Sequence, residues 1–298
     1  MDRDLTIGFI GFGEAGFNIA KGLRGEGLDR VFAYDINTHT PRLGEKIKSR
    51  AQSSGVSLVE SPEELCQACG VFFSAVTADQ ALKAAEQTAP YLEARHVYVD
   101  INSVSPATKR SVGEIITGAE ARFVEAAVMS AVIPLGHRVP MLLGGKAAHE
   151  FTELLAPYGM NLEVISEQIG AAVAVKLCRS IVVKGLEALL LECALVASRY
   201  GADARVFASL QDKFPGVDWG ELAGYMIGRV VQHGERRARE MEEVARMLSA
   251  AGIDPIMAEA TGRRQEWGGR LALPEEFDGK LPDGYAELMR AITKEKER

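Results

Sequence analysis

Three glycines at fixed spacing near the start of the chain constrain its fold more than any other feature. Residues 7–16 read Ile-Gly-Phe-Ile-Gly-Phe-Gly-Glu-Ala-Gly, which places G-x-G-x-x-G after a short apolar run and at the start of a helix-like segment. In this pattern Gly11 makes a tight turn, Gly13 lets the backbone approach a pyrophosphate, and Gly16 permits close packing of helix on sheet. The helix N-terminus also favours phosphate. The motif predicts a dinucleotide site formed by Gly11, Phe12, Gly13, Glu14, Ala15 and Gly16.

An acidic residue at the end of the next apolar run makes this motif specific. Asp35 directly follows the run Val31–Tyr34, at the distance where a carboxylate accepts hydrogen bonds from ribose hydroxyls. Since a carboxylate also repels a 2′-phosphate, we expect NAD as the cofactor, with NADP as the alternative. Four residues that follow could form a polar pocket for such a phosphate or belong to a solvated loop: Asn37, Thr38, His39 and Arg42. Of these we assign Asn37 to the cofactor site.

The first half of the chain alternates short β-rich runs with segments of helical spacing. The runs cover residues 5–10, 31–34, 71–76 and 97–100, and others follow at 123–128, 139–143 and 162–165, with Gly144-Gly145 as a turn. This alternation predicts an α/β Rossmann fold with a doubly wound, mostly parallel sheet. Because ligands of such a sheet lie beyond the carboxyl ends of its strands, we also place Val76, Thr77 and Asn102 at the cofactor.

The composition changes near Gly170. Residues 170–200 form a long, almost uninterrupted apolar segment, and no convincing strand follows it. We therefore predict a dinucleotide-binding Rossmann domain over residues 1–166 and an all-helical substrate and dimerisation domain over residues 167–298. Since the segment 170–200 is too apolar to be covered by the few helices after it, we expect a homodimer or a higher homo-oligomer.

Charge and composition narrow the range of partners. With 34 basic and 41 acidic side chains the net charge is −7, which is unsuited to binding nucleic acid, and no uncharged apolar stretch is long enough for a bilayer. The start of the chain lacks the pattern of a secretory signal, so we expect a cytoplasmic protein with a small-molecule substrate. The spacing Cys66-x-x-Cys69 fits a metal or redox site, but because no second ligand pair exists we interpret both cysteines as core residues and predict no metal.

Three further segments point to a known family. Residues 99–103 read Val-Asp-Ile-Asn-Ser, residues 123–131 read Phe-Val-Glu-Ala-Ala-Val-Met-Ser-Ala, and residues 170–176 carry a glycine, five residues and Lys176. In this order, and together with the glycine loop, they resemble the β-hydroxyacid dehydrogenase superfamily, which includes 3-hydroxyisobutyrate and 6-phosphogluconate dehydrogenases. The resemblance covers nearly the whole chain and implies a nicotinamide-dependent dehydrogenase.

The resemblance implies a substrate site at the strand ends, with some departures. Asn102 and Ser103 match positions that bind substrate beside the nicotinamide, although a plain strand-ending turn would also explain them. In the second segment Met129 occupies the family's usual serine position, and Ser130 and Ala131 occupy two glycine positions. Either Ser130 makes the substrate contact, or the pocket is narrower and more apolar than in the hydroxyacid enzymes.

The third segment resembles the family's catalytic helix and assigns the catalytic role to Lys176. Five apolar or small residues precede this lysine, so we expect desolvation to lower its pKa towards the range useful for proton transfer. Helical spacing puts four polar residues on one stripe: Lys176, Ser180, Lys184 and Glu187. Ser180 and the neighbouring Arg179 are assigned to the substrate. Snorkelling lysines or buried ion pairs are the alternative reading of the stripe, above all for Lys184 and Glu187.

Other positions of the helical region are less specific. Ser180 stands where the family commonly has an asparagine that binds substrate, and it has fewer donors and a shorter reach. Val183 stands where 6-phosphogluconate dehydrogenases have a glutamate that acts after decarboxylation, so decarboxylation of a sugar phosphate is disfavoured. His233 and Arg237 share a face of a later helix and could reach an anionic substrate or be solvated.

The predicted reaction is hydride transfer between the nicotinamide and the carbinol carbon of a small hydroxyacid or related alcohol, with Lys176 as general acid and base. Two alternatives use the same fold. One is an imine or iminium reductase, although the lysine argues against it because relatives that reduce imines usually have another residue there. The other is a non-catalytic protein that binds the dinucleotide and reports redox state.

Overall fold

Continuous apolar runs form the central strands of an eight-stranded sheet in the computed structural model, which describes residues 5–271, 273, 281 and 284–296. The strands are β1 (Ile7–Ile10), β2 (Val31–Tyr34), β3 (Ser57–Leu58), β4 (Val71–Ser74), β5 (Val97–Asp100), β6 (Arg122–Val128), β7 (Met141–Gly144) and β8 (Leu162–Ser166). Their order across the sheet is β3-β2-β1-β4-β5-β6-β7-β8, and all neighbours are parallel except β6 and β7. The order reverses between β1 and β4, the kind of switch point at which doubly wound sheets bind ligands. The predicted Rossmann fold is confirmed.

Several strand boundaries differ from those predicted. β1 begins at Ile7 and β4 ends at Ser74, so Val76 lies in the loop after β4. Gly144 was predicted to belong to a turn, but it is the last residue of β7, where it pairs with Glu125. The two-residue strand β3 was not expected, since it is too short for any alternation of apolar and polar residues to show.

Seven α-helices in the described residues before α8 accompany the sheet: α1 (Glu14–Gly25), α2 (Pro41–Ser54), α3 (Pro62–Ala68), α4 (Ala81–Thr88), α5 (Pro106–Gly118), α6 (Val132–Leu135) and α7 (Ala148–Leu155). Proline at the first position begins α2, α3 and α5, where its missing N–H is no loss. The side chain of Ser61 caps α3, and that of Ser105 caps α5, by accepting a backbone N–H.

Two apolar clusters form the core of this region, because successive strand residues point to opposite faces of the sheet. Phe73 belongs to one cluster, and its ring stacks on that of Phe9 with 5.2 Å between the centroids. The neighbouring Phe72 belongs to the other cluster, together with Tyr98 and Phe123. Burial on both faces explains why these strands read as continuous apolar runs.

The chain divides into two compact units, Met1–Lys176 and Leu177–Arg298. The division falls within the long helix α8 (Ala171–Arg199), ten residues after the boundary that we placed at 166/167. The second unit continues with α9 (Asp203–Lys213), α10 (Trp219–Ala250), α11 (Ile256–Gly269) and α12 (Tyr285–Lys296), and its described residues include no strand. The domain assignment itself stays a prediction.

Close contact between α10 and α11 organises the second unit. A Cβ on Gly234 would lie 2.1 Å from the main-chain oxygen of Gln265, so only glycine permits this approach. Leu191, Ile227 and Val230 belong to the apolar core of the unit. Among the described residues, no helix is both long enough and apolar enough to cross a membrane.

Candidate active site

The glycine loop joins β1 to α1 at the switch point of the sheet. Gly11 has φ +87°, and a Cβ there would lie 2.6 Å from the main-chain oxygen of Ala75. Both the backbone conformation and this close contact therefore require glycine. A Cβ on Gly16 would lie 2.7 Å from the main-chain oxygen of Gly11. Both glycines are therefore explained by contacts within the protein, as the motif predicts for the turn and for the packing of the helix.

Gly13 differs from the other two glycines. It caps α1 with φ −69°, a value open to any residue, and a Cβ there would meet no protein atom within 4 Å. Neither the backbone nor the surrounding protein explains a glycine at this position. A ligand that approaches the helix N-terminus closely does explain it, so these residues fit the pyrophosphate of a dinucleotide.

Asp35 follows β2 and holds the glycine loop in place. Its Oδ2 accepts the backbone N–H of Phe12 at 2.7 Å, and its Oδ1 accepts that of Asn37 at 2.9 Å. Each carboxylate oxygen can accept a further hydrogen bond, which leaves capacity for ribose hydroxyls. Arg50, which the sequence did not single out, donates to the carbonyl oxygen of Phe12 at 3.3 Å, so both backbone groups of Phe12 are fixed.

Asn102 fixes the loop after β4. This residue is 4% exposed, its Oδ1 accepts the backbone N–H of Val76 at 2.7 Å, and its Nδ2 donates to Ser74 Oγ at 2.9 Å. Its own N–H donates to Asp100 Oδ1 at 2.8 Å. The amide is thus engaged with the protein, and the segment that it shapes contains Val76, which is half-buried, and Thr77, which is exposed.

Lys176 and Ser103 meet at the carboxyl end of β5. Lys176 Nζ donates a hydrogen bond to Ser103 Oγ at 2.6 Å, although the two residues are 73 positions apart in the sequence. Both side chains are half-buried. An amine and a hydroxyl in contact at a strand end can together bind an oxygen atom and exchange a proton with it.

Buried charges support this end of the sheet. Asp100, Lys109 and Glu125 are each fully buried. Lys109 Nζ donates to the main-chain oxygen of Asp100 at 2.6 Å and lies 3.3 Å from its Oδ1. Burial raises the pKa of Glu125, while hydrogen bonds from two backbone N–H groups and the charge of Lys109 act in the opposite direction. Lys109 was missed because nothing in its helical spacing distinguishes it from a surface lysine.

The remaining predicted substrate residues lie in different environments. Ser130 follows β6 and is exposed, as is the neighbouring Ala131. Arg179 and Ser180 belong to the second unit, where Ser180 Oγ accepts a hydrogen bond from Lys184 Nζ at 2.8 Å. Assignment of Arg179 and Ser180 to the substrate stays a prediction from the family resemblance.

Further charges of the second unit pair with one another. Lys184 Nζ lies 3.0 Å from Glu240 Oε2, and burial lowers the pKa of this lysine. Glu187 is fully buried. Its carboxylate accepts two hydrogen bonds from the guanidinium of Arg237 and one, at 2.8 Å, from Gln265 Nε2. Arg237, which the sequence offered as a contact for an anionic substrate, is therefore engaged by Glu187.

Cys66 and Cys69 are free, buried thiols. Burial raises the pKa of each to about 12, which leaves them protonated and unreactive near neutral pH. Among the residues that the structure describes, no group of histidine, cysteine or carboxylate side chains is arranged to hold a metal ion.

Comparisons with known proteins agree with this geometry. Residues 6–165 match the family described as the NAD binding domain of 6-phosphogluconate dehydrogenase, and residues 197–268 match a domain of unknown function, DUF1932. An uncharacterized 28.5 kDa protein of Methanothermus fervidus is 30% identical over 86% of this chain and 96% of its own length.

Solved structures share the fold over almost the whole chain. A conserved hypothetical protein from Sinorhizobium meliloti is 35% identical, with a TM-score of 0.79 over 98% of this chain and 96% of that one. The 3-hydroxyisobutyrate dehydrogenase of Mycobacterium tuberculosis, solved with L-serine, has a TM-score of 0.71 over 97% of this chain and 98% of that one. At 15% identity, the second likeness concerns the fold alone.

Proposed function

This chain belongs to the β-hydroxyacid dehydrogenase superfamily, and on that premise we propose that it transfers a hydride between a nicotinamide dinucleotide and the carbinol carbon of a small hydroxyacid or related alcohol. The observation that carries the proposal is the contact of Lys176 Nζ with Ser103 Oγ at a strand end of the dinucleotide-binding fold. A purely structural lysine has no need of a half-buried serine at the edge where such sheets bind their ligands.

The cofactor is held by the loop from Gly11 to Gly16 and by Asp35. The open space at Gly13 admits the pyrophosphate, and the carboxylate of Asp35 accepts the ribose hydroxyls and disfavours a 2′-phosphate. The bound nicotinamide supplies the hydride acceptor or donor. We therefore propose NAD as the preferred cofactor.

Lys176 moves the proton that accompanies the hydride. In the oxidation direction its neutral amine accepts the proton of the substrate hydroxyl, and in the reduction direction its ammonium returns a proton to the alkoxide oxygen. Ser103 orients the amine through the 2.6 Å hydrogen bond and offers its hydroxyl to the same substrate oxygen. Ser130 adds a second hydroxyl for the substrate, whereas Asn102 acts by holding the Val76 loop rather than by contacting substrate.

We also propose a homodimer built on the exposed face of α8. Val182, Leu189 and Val196 are 70%, 56% and 57% exposed and recur every seven residues, a spacing typical of helices that pack against a second helix along one seam. Replacement of Leu189 by glutamate is expected to yield a monomer in light scattering. As a control, the same replacement at Ile256, an exposed apolar position on α11, is expected to leave the dimer intact. A wild-type protein that is already monomeric contradicts this.

A cofactor-reduction screen tests the reaction. Hydroxyacids, sugar acids and simple alcohols are offered with NAD and NADP, and ketones are offered with the reduced cofactors in the presence and absence of amines. Turnover of a hydroxyacid supports the proposal. Turnover only when ketone and amine are combined indicates an imine reductase, and tight NADH binding without any turnover indicates a redox sensor.

A further inference from the structure

Glu125 is a buried carboxylate with no part in the proposed chemistry. It lies in β6, where its partner in the neighbouring strand β5 is Asp100 and its partner in β7 is Gly144. The side chain is fully buried, the positive charge of the nearby Lys109 favours its ionised form, and the negative charge of Asp100 opposes it. A buried carboxylate needs hydrogen-bond donors. The donors to Glu125 are backbone N–H groups at the start of α8.

The donors are the N–H group of the residue that precedes α8 and one N–H group of the first turn of α8. Glu125 Oε2 accepts the N–H of Gly170, and Oε1 accepts the N–H of Val173 at 2.6 Å. These groups have no partner within the helix, and Gly170, with φ +102°, has no side chain to cap them. One remote carboxylate therefore does the work that a capping serine and a glutamate share in other helices.

The space for this carboxylate is reserved. A Cβ on Gly144 would lie 2.9 Å from Glu125 Oε2, so a larger residue there would push the carboxylate away from the helix. The glycine was assigned to a turn from the sequence, but it lies in a strand and its φ is not among the positive values. Its small size serves the contact between Glu125 and the start of α8.

Lys176 lies one turn beyond the capped N–H groups. It follows Val173 by three positions, a rise of about 4.5 Å along the helix. Its Nζ bonds to Ser103 at the end of β5, the strand next to β6. The start of α8 is thus attached to two adjacent strands, by Glu125 at its first turn and by Lys176 at its second.

We propose that Glu125 is the positioning residue for Lys176: its carboxylate fixes the first turn of α8 so that the amine reaches Ser103 and the reacting oxygen. The inference rests on the proposed function, since it concerns how Lys176 is held for proton transfer. A displacement of about 1 Å in a catalytic group can lower turnover about a hundredfold. Loss of the cap is therefore expected to lower kcat while the glycine loop, which Glu125 does not touch, keeps its affinity for NADH.

The first test is Glu125→Gln, with Asp218→Ala as the matched control. Gln keeps the size of the side chain but offers an amide where an N–H group requires an acceptor, and we expect kcat to fall about ten- to a hundredfold with the Kd for NADH unchanged. Asp218 caps α10 by accepting the N–H of Glu221 at 2.9 Å. Its loss is expected to lower Tm without lowering kcat, which separates a general loss of stability from a positioning effect.

Gly144→Ala provides a second, independent perturbation. The added methyl group displaces the carboxylate and leaves every charge in place, so it also guards against a Glu125→Gln variant that does not fold. We expect the same fall in kcat at unchanged NADH affinity. Wild-type kcat in Gly144→Ala, or a Glu125→Gln variant that loses NADH binding as strongly as turnover, would overturn the positioning role.

A double-mutant cycle with Lys176→Met decides whether Glu125 acts through the lysine. If it does, Glu125→Gln lowers kcat in the wild-type background and has no further effect once Lys176 is replaced. Equal losses in both backgrounds overturn the inference and leave the proposed function intact. If Lys176→Met alone keeps wild-type turnover, the proposed proton-transfer role of Lys176 fails instead, and if the wild type turns over no substrate in the screen, the proposed function fails, so these failures are distinguishable.

Discussion

Two carboxylates of the first unit and the charged side chains of the second unit are engaged in different ways. In the first unit, the half-buried Asp35 accepts one backbone N–H group from the glycine loop and one from the loop after β2, and the fully buried Glu125 accepts two at the start of α8. In the second unit, Glu187 binds Arg237 and Lys184 binds Glu240, so charged side chains satisfy one another.

The difference separates two tasks. A carboxylate that binds backbone N–H groups fixes the path of a loop or the start of a helix, and so places whatever that segment carries. A pair of opposite charges between helices fixes only which helix faces meet. We therefore assign Asp35 and Glu125 to the geometry of the candidate active site, and the charge pairs of the second unit to helix packing.

The largest effect on stability is expected for Glu187→Ala in the second unit. Removal of this carboxylate leaves Arg237 buried without its partner, which costs about 3–5 kcal/mol of the free energy of unfolding. Urea denaturation measures the loss, and NADH affinity is expected to be unchanged. The control is Glu192→Ala, which breaks an exposed pair with Arg264 and costs about 1 kcal/mol or less. Similar losses in both variants would contradict the structural role of the buried pair.

A smaller effect, on binding, is expected for Asp35→Ala. Loss of a charged acceptor weakens NAD binding by roughly 1.5–3 kcal/mol, or about ten- to a hundredfold in Kd. Calorimetric titration with NAD and NADP measures it, and Tm is expected to change less than in Glu187→Ala. NAD affinity and NAD preference equal to those of the wild type would remove Asp35 from the cofactor site.

The smallest effects are pH shifts of opposite sign. Because burial raises the pKa of Glu125, its ionised form costs stability, and the cost is relieved as pH falls through the raised pKa towards the ordinary 4.5. Because burial lowers the pKa of Lys184, its ammonium costs stability, and that cost is relieved as pH rises through the lowered pKa towards 10.5.

Unfolding at stepped pH checks these signs, with a slope of at most about 1.4 kcal/mol per pH unit for each group. The wild type is expected to gain stability relative to Glu125→Gln as the pH is lowered, and relative to Lys184→Met as the pH is raised. Parallel curves for the wild type and either variant would show that the group concerned titrates alike in the folded and unfolded chain.

Local sequence patterns predicted much of the first unit. The glycine motif, the acid after β2 and the apolar strands are all encoded over short spans, and the structure places them as expected. The antiparallel direction of β7 was not predicted, because a buried strand has the same apolar pattern in either direction. Gly144 was wrongly predicted to be a turn residue, because its role depends on contact with the side chain of Glu125, which is distant in the sequence.

Contacts distant in sequence account for what was missed. The cap on α8 joins Glu125 to a residue 48 positions later, and Arg50 reaches a carbonyl group 38 positions earlier. Helical spacing put Lys176 and Lys184 on one stripe, but it could not say that the first would bond to Ser103 and the second to Ser180 and Glu240. That distinction depends on what each turn of the helix packs against.

Comparison of Lys176→Met with Lys184→Met tests the central claim most directly, because the same substitution is made twice on one helix. Both variants are titrated with NADH and assayed with the substrate found in the screen. We expect both to bind NADH like the wild type, Lys184→Met to keep its turnover, and Lys176→Met to lose about two to four orders of magnitude. Near-wild-type turnover in Lys176→Met, with an unchanged dependence on pH, would contradict the account and assign proton transfer to another group.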